Sequence, residues 1–148
     1  MKKLNYLWML GLLMFAAVNF CACSSDDDGP GSSSELVGLW EGVSVEGSFK
    51  YAGETEEFEE ELDDIRIRFN SDGTCESYEY YGGSWSFVSE ATWEYKNGKL
   101  YTTYEEDGDM ITDAVPVKEL TSSRLVLEYH EKDEDWESYE VMTFKKVN

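Results

Sequence analysis

The chain has 148 residues, with 12 basic and 32 acidic side chains, a single histidine and a formal net charge of −20. A chain this acidic does not grip a phosphate backbone, which is held through clustered Lys and Arg, so nucleic acid is excluded as a partner. The same excess argues against the folded part lying on anionic lipid and suits solubility beside a negatively charged surface.

The chain opens on Met1-Lys2-Lys3, then runs mostly apolar to Phe20. A positive start followed by a short apolar core is the pattern of an export leader, and the core is shorter than the ~20 residues a spanning helix needs. An uncleaved anchor helix and ordinary secretory cleavage are the plainer alternatives. Phe20-Cys21-Ala22-Cys23 resembles a lipobox, in which cleavage falls just before a diacylglyceryl-cysteine. Ala22 suits the position before Cys23, which makes Cys23 the expected lipid attachment site and Cys21 the weaker alternative. Asp26 to Asp28 resembles the export signal of surface lipoproteins in the Bacteroidota. The resemblance implies an outer-membrane lipoprotein, facing the periplasm or the cell surface. Two or more acyl chains anchor a protein stably where one does not.

Removing residues 1–22 takes away Lys2 and Lys3 but no acid, so the formal net charge falls from −20 to −22. With Cys23 acylated and Cys21 gone, only Cys75 remains, and no intrachain disulfide is available. Cys75 sits in a strand-like run and is expected to be a small buried residue. Residues 24–34 hold Ser, Asp, Gly and Pro with no large apolar side chain, the composition of a flexible tether. The expected organisation is a leader over 1–22, a tether over 23–34 and one domain over 35–148.

From Glu35 onward the pattern is β. Leu39, Val43, Val45 and Phe49 share strand parity in a first strand. Glu54 to Asp64 is compatible with an acidic edge strand around Phe58 and Leu62. Ile65, Ile67 and Phe69 alternate with Arg66, Arg68 and Asn70, the period of a half-buried strand. Asn70-Ser71-Asp72-Gly73 reads as a turn and Thr74 to Tyr81 as the return strand, broken by Gly82-Gly83. Ser84 to Tyr95 follows, with Trp93 and Tyr95 on one side. Asn97-Gly98 is the strongest hairpin signal, a type I′ turn. Leu100 to Tyr104, Ile111 to Val117, Arg124 to His130 and Trp136 to Lys146 complete the set, and Leu125, Leu127 and Tyr129 share a face. No segment carries a long helical pattern. About eight short antiparallel strands predict an all-β, up-and-down barrel, in which closure removes exposed edges; a β-sandwich is the alternative.

Leu36-Val37-Gly38-Leu39-Trp40 resembles the Gly-x-Trp opening of lipocalins, whose Trp plugs the closed end of the barrel. Phe69 to Thr74, Thr92 to Tyr95, Leu120 to Leu127 and the terminal Phe144-Lys145-Lys146 are similar to lipocalin-like lipoproteins of the Bacteroidota. The likeness spans roughly Glu35 to Val147. It lacks the Thr-Asp-Tyr motif of long lipocalins, and the place of the Arg that stacks on the plug Trp falls to Lys145 or Lys146. The resemblance implies a barrel that binds a small apolar or amphipathic molecule, without an activity attached.

No catalytic, metal or cofactor site is expected. His130 stands beside Glu131 at a strand end and reads as a solvated rim residue. A zinc site needs three or four ligands, which His130 and Cys75 do not supply. Tyr and Trp combine apolar area with a polar handle and suit ligand sites and interfaces. Trp85, Trp93, Tyr95, Tyr104 and Tyr129 are therefore the candidate ligand-binding residues, against the plainer role of core filling and cross-strand pairing. The expected partners are the membrane through the lipid, a small hydrophobic ligand and, as the alternative function, another envelope protein.

Overall fold

The structure, a computed structural model, describes residues 29–147. The leader, Cys21, Cys23 and Asp26 to Asp28 lie outside the described residues. A single helical turn, α1 (Ser33–Leu36), precedes nine strands: β1 (Gly38–Tyr51), β2 (Glu54–Glu61), β3 (Ile65–Phe69), β4 (Thr74–Tyr81), β5 (Ser84–Lys96), β6 (Lys99–Glu106), β7 (Asp109–Leu120), β8 (Arg124–Lys132) and β9 (Trp136–Val147). All pairings are antiparallel, in the order β2-β1-β3-β4-β5-β6-β7-β8-β9, and β1 also pairs with β9. That last pairing closes the sheet, so the fold is a barrel and not a sandwich.

The nine strands make eight staves. β2 pairs with the later part of β1 and β3 with its first residues, so β2 and β3 are one stave broken at Leu62–Asp64. Leu62 turns inward at the break, buried, while its N–H donates to the Val43 carbonyl (3.1 Å). β2 borders β1 alone, which leaves it an edge carrying six glutamates. Repulsion between like charges on such an edge discourages pairing with another chain.

The turns follow local chemistry. Asn97 (φ 53°) and Gly98 (φ 70°) adopt the left-handed pair that a two-residue hairpin needs. Asp72 accepts hydrogen bonds from the Thr74 N–H and hydroxyl, which fixes the β3–β4 turn.

Three β-bulges decide which side chains face inward, one of them at Val117/Glu119 on β7, where Lys118 is unmatched and both Val117 and Leu120 are buried. Another falls between Gly42 and Ser44. Trp40 and Gly42 point inward before it and Val45 and Gly47 after it, so the parity expected for Leu39, Val43, Val45 and Phe49 does not persist along β1. Leu39 pairs with Arg68 on the outer wall, and Val43 is 40% exposed. The third interrupts the β4–β5 register at Ser77/Tyr78, leaving Val88 unmatched. An extra residue reverses every side chain beyond it.

The core fills the end where β1 begins: Leu36, Trp40, Phe69, Tyr95, Leu100, Val115, Leu120, Leu125, Leu127 and Phe144 form one buried cluster. The N-terminal segment seals this end. Trp40 Nε1 donates to the Leu36 carbonyl (2.7 Å), the Tyr95 hydroxyl to the Pro30 carbonyl, and Lys146 Nζ to the Glu35 carbonyl (2.6 Å). Ser32 and Glu35 form a capping box on α1. Residues 29–34, expected to belong to a tether, are thus seated on the barrel. Their backbone polar groups and Leu36 find partners there that composition does not reveal.

Candidate functional site

The interior changes character away from the sealed end. On β9 the inward side chains run Phe144, Met142, Glu140, Ser138, and on β7 they run Val117, Val115, Asp113, Ile111. Apolar burial gives way to buried carboxyls, Glu140 at 8% exposure and Asp113 at 9%. Tyr129 stands directly opposite Glu140 across the β8–β9 pair, and Tyr104 opposite Ile111 across β6–β7. Glu131 and Glu106, both half-buried, extend the set toward the rim.

These groups share one electrostatic environment. Burial pushes the Asp113 carboxyl up, a hydrogen bond from Tyr104 draws it back, and neighbouring Glu106 raises it further. Burial likewise raises Glu140, against a 2.9 Å hydrogen bond donated by the Ser138 hydroxyl. Glu131 is raised by burial and by the nearby charges of Glu140 and Asp113. The tyrosines respond in kind: Tyr104 is pushed up to about 12, first by burial and then by Asp113, and Tyr129 rises through burial, Asp113 and Glu140. One Glu106 oxygen, Oε2, is buried with no hydrogen-bond partner among the described residues. Carboxylates held close in a low-dielectric site disfavour an added anion and favour protons, neutral hydrogen-bond donors or a cation. Among the described residues no group of three or more His, Cys, Asp and Glu is arranged to hold a metal ion.

The five aromatic candidates separate. Tyr104 and Tyr129 line this open end, linked through Asp113. Trp93 and Tyr95 face inward but belong to the sealed end. Trp93 packs edge-on against Phe69 (ring centres 5.5 Å apart), its Nε1 donating to the Asn70 carbonyl (3.0 Å), and Tyr95 is buried against the N-terminal segment. Trp85 points out of the barrel. Beyond the β5 bulge it pairs with Tyr80, and the Arg66 guanidinium lies 4.0 Å above its ring. With Tyr78, Tyr80 and Phe87 it forms an aromatic cluster on the outer wall.

Asp113, Glu131, Glu140 and Glu106 are the site residues that the sequence reading missed. Their signal was parity: Glu140 continues the series of Phe144 and Met142, and Asp113 that of Val117 and Val115. A carboxylate on an apolar face is the informative exception to hydrophobic burial. His130 is exposed, its Nε2 2.9 Å from Glu137 Oε1. Cys75 is buried, with its thiol pushed up to about 11 by desolvation. A solvent-open groove of about 810 Å³ lies on the outer wall over Val126, Tyr139, Val141 and Thr143.

Residues 36–127 match the lipocalin-like domain family. Insecticyanin from the tobacco hornworm Manduca sexta is similar in structure, with a TM-score of 0.56 at 10% identity over 85% of this chain and 69% of that one. A lipocalin-like protein from Bacteroides uniformis aligns with a TM-score of 0.49 at 18% identity over 76% of this chain and 99% of that one. An uncharacterized protein from Bacteroides eggerthii gives 0.47 at 19% identity over 76% and 99%. No curated protein matches the sequence.

Proposed function

The chain belongs to the lipocalin-like domain family, and from that premise we propose that it is a membrane-anchored lipoprotein whose barrel binds a small amphipathic molecule at its open end, without catalysis. The observation that carries this reading is the division of the interior. One end is sealed around Trp40, while the other holds half-buried tyrosines among buried carboxyls. An apolar portion would lie against Met142, Ile111 and the two tyrosine rings. A neutral or cationic polar portion would face Asp113, Glu131 and Glu140, where an anion is repelled. Cys23 carries the lipid in this reading, and the outer membrane holds the protein.

The test is native mass spectrometry of the protein purified from its own host, paired with calorimetric titration of dodecylamine and dodecanoate. A co-purifying small molecule, or dodecylamine binding that Tyr129→Ala weakens about tenfold, supports the reading. An apo mass together with no heat from either probe refutes it. The outer aromatic cluster favours a second reading, docking of an envelope protein, since Tyr80 and Phe87 are 48% and 58% exposed. Phe87→Ser would then abolish recovery of that partner after crosslinking in cells and leave small-molecule binding unchanged.

A further inference from the structure

We infer that the barrel wall opens sideways between β7 and β8, that repulsion between the carboxylates on the two lips holds this seam apart, and that ligand reaches the open-end site through it. The entry of ligand rests on the binding reading above; the seam stands on the backbone. β7 stays paired with β6 up to Glu106–Asp109, and β8 with β9 up to Lys132–Glu137. Between β7 and β8 the pairing stops at Val117–Leu127. Beyond that pair, Asp109 to Pro116 keep only β6 as a neighbour and Glu128 to Lys132 only β9. Pro116 stands at the break. The Val117 N–H donates to the Gly98 carbonyl (2.8 Å), on the β6 side. Alternation then turns the Pro116 nitrogen toward β8, where it has no hydrogen to give. On the outer wall Lys118 Nζ lies 2.6 Å from Glu128 Oε2, an ion pair that clips the two strands where the ladder ends.

The side chains keep the seam apart. Were the ladder to continue by twos from Val117–Leu127, Val115 would stand opposite Tyr129 and Asp113 directly opposite Glu131. Like charges in directly opposed positions destabilise a strand pair. The titratable groups that face the seam from inside are Asp113 on β7, with Asp109 at its exposed tip, Tyr104 and Glu106 on β6, Tyr129 and Glu131 on β8, and Glu140 on β9. None of them is a base. The cations of this region lie on the outer wall, Lys118 against Glu128, and His130, Lys132 and Lys50 around Glu137. Asp113 raises both Glu131 and Tyr129, so its charge is felt across the seam. A proton on either lip removes the repulsion and lets one carboxyl donate to the other. The seam therefore narrows in acid and parts as the carboxyls ionise.

The test is double electron–electron resonance on the full chain purified from its own host, with nitroxides on Ala114→Cys and His130→Cys. Both positions are exposed, one on each lip. Cys75 is buried with its thiol pushed up to about 11, and the chain without the two substitutions, treated alongside, supplies the labelling background. Between pH 4.5 and pH 8 the label separation is expected to grow by about 5 Å, one strand spacing. Adding Asp113→Asn and Glu131→Gln keeps the side-chain shapes and removes the charges, so the separation should hold its acid value at both pH values. An unchanged separation with the native carboxyls, or the same growth with the amides, overturns the seam. Entry is read by stopped-flow binding of dodecanol, a probe with no charge of its own in this range. With the native carboxyls its association is expected to be about threefold or more faster at pH 8 than at pH 4.5, and with the amides equal at the two. Equal rates alongside a changing separation overturn the sideways entry. No binding at either pH refutes the ligand reading and the entry with it, while the separation still decides the seam.

Discussion

Trp40→Phe removes one hydrogen bond at the centre of the sealed end and little else. Trp40 has no solvent exposure, and its Nε1 donates to the Leu36 carbonyl at 2.7 Å. Phe leaves that carbonyl buried and unpaired, a cost of about 1–3 kcal/mol. The volume lost with the smaller ring adds about 1 kcal/mol of cavity cost. The expected loss is therefore ~2–4 kcal/mol against a total stability of ~5–15 kcal/mol for a domain of this kind. Among the described residues no disulfide stands behind it, Cys75 being a free thiol. Trp40→Ala costs about 5 kcal/mol or more, because the whole side chain goes and Lys146, 4.9 Å from the ring, loses its aromatic neighbour. Urea unfolding of the chain from Ser24, followed by far-ultraviolet circular dichroism, reads the effect directly. At a slope of ~1–2 kcal/mol/M the Phe variant shifts the midpoint down by roughly 1–4 M. A Phe variant within about 0.5 kcal/mol of the parent, with an unchanged slope, would refute the plug as a stabilising element.

Three further outcomes are expected. The carboxyls of Asp113, Glu131 and Glu140 sit above their ordinary values of 3.8, 4.5 and 4.5, so the folded state binds more protons than the unfolded one just above those values. Stability therefore falls as pH rises from about 4.5 through their raised values, and urea midpoints measured from pH 4.5 to 8 should decline. The lowered carboxyls Glu41 and Glu128 act with the opposite sign, at pH below 4.5, and leave that window clear. Glu140→Gln keeps an acceptor for the Ser138 hydroxyl and removes a buried charge, so it should raise the midpoint at pH 8 and flatten the decline; a lower midpoint at pH 8 would contradict the electrostatic account. Gly42→Ala places a Cβ 2.0 Å from the Leu62 carbonyl oxygen, so the broken stave must shift, at a cost of roughly 1–3 kcal/mol; an unchanged thermal midpoint would show that the bulge yields freely.

Local chemistry made much of the fold legible. The Asn97-Gly98 hairpin, the Asp72 turn, the alternation of Ile65, Ile67 and Phe69 and the shared face of Leu125, Leu127 and Tyr129 all appear as read. The Gly38-x-Trp40 opening marks the plug, and Lys146 takes the place over its ring. Trp85 was a candidate by residue type alone; a count by twos from Trp93 and Tyr95 would set it on their face, and the unmatched Val88 reverses that alternation and puts Trp85 on the outer wall. Val43 escaped for the same reason at the β1 bulge. Bulges leave no dependable mark in a short strand; they arise from the closure of the whole sheet.

By itself the sequence determined an acidic all-β chain with a leader-like start, hairpin turns at defined residues and a tryptophan at the head of the first strand. These depend on backbone preferences and on a periodicity of two, which neighbouring residues set. Only the tertiary structure decided that β1 meets β9, that β2 and β3 share a stave, and that Gly29 to Ser34 belong to the sealed end. It alone gathered Asp113, Glu131 and Glu140 from β7, β8 and β9 around two tyrosines. Such groups become neighbours only when strands distant in sequence are brought side by side, and burial there, not residue type, is what moves their carboxyls from their ordinary values.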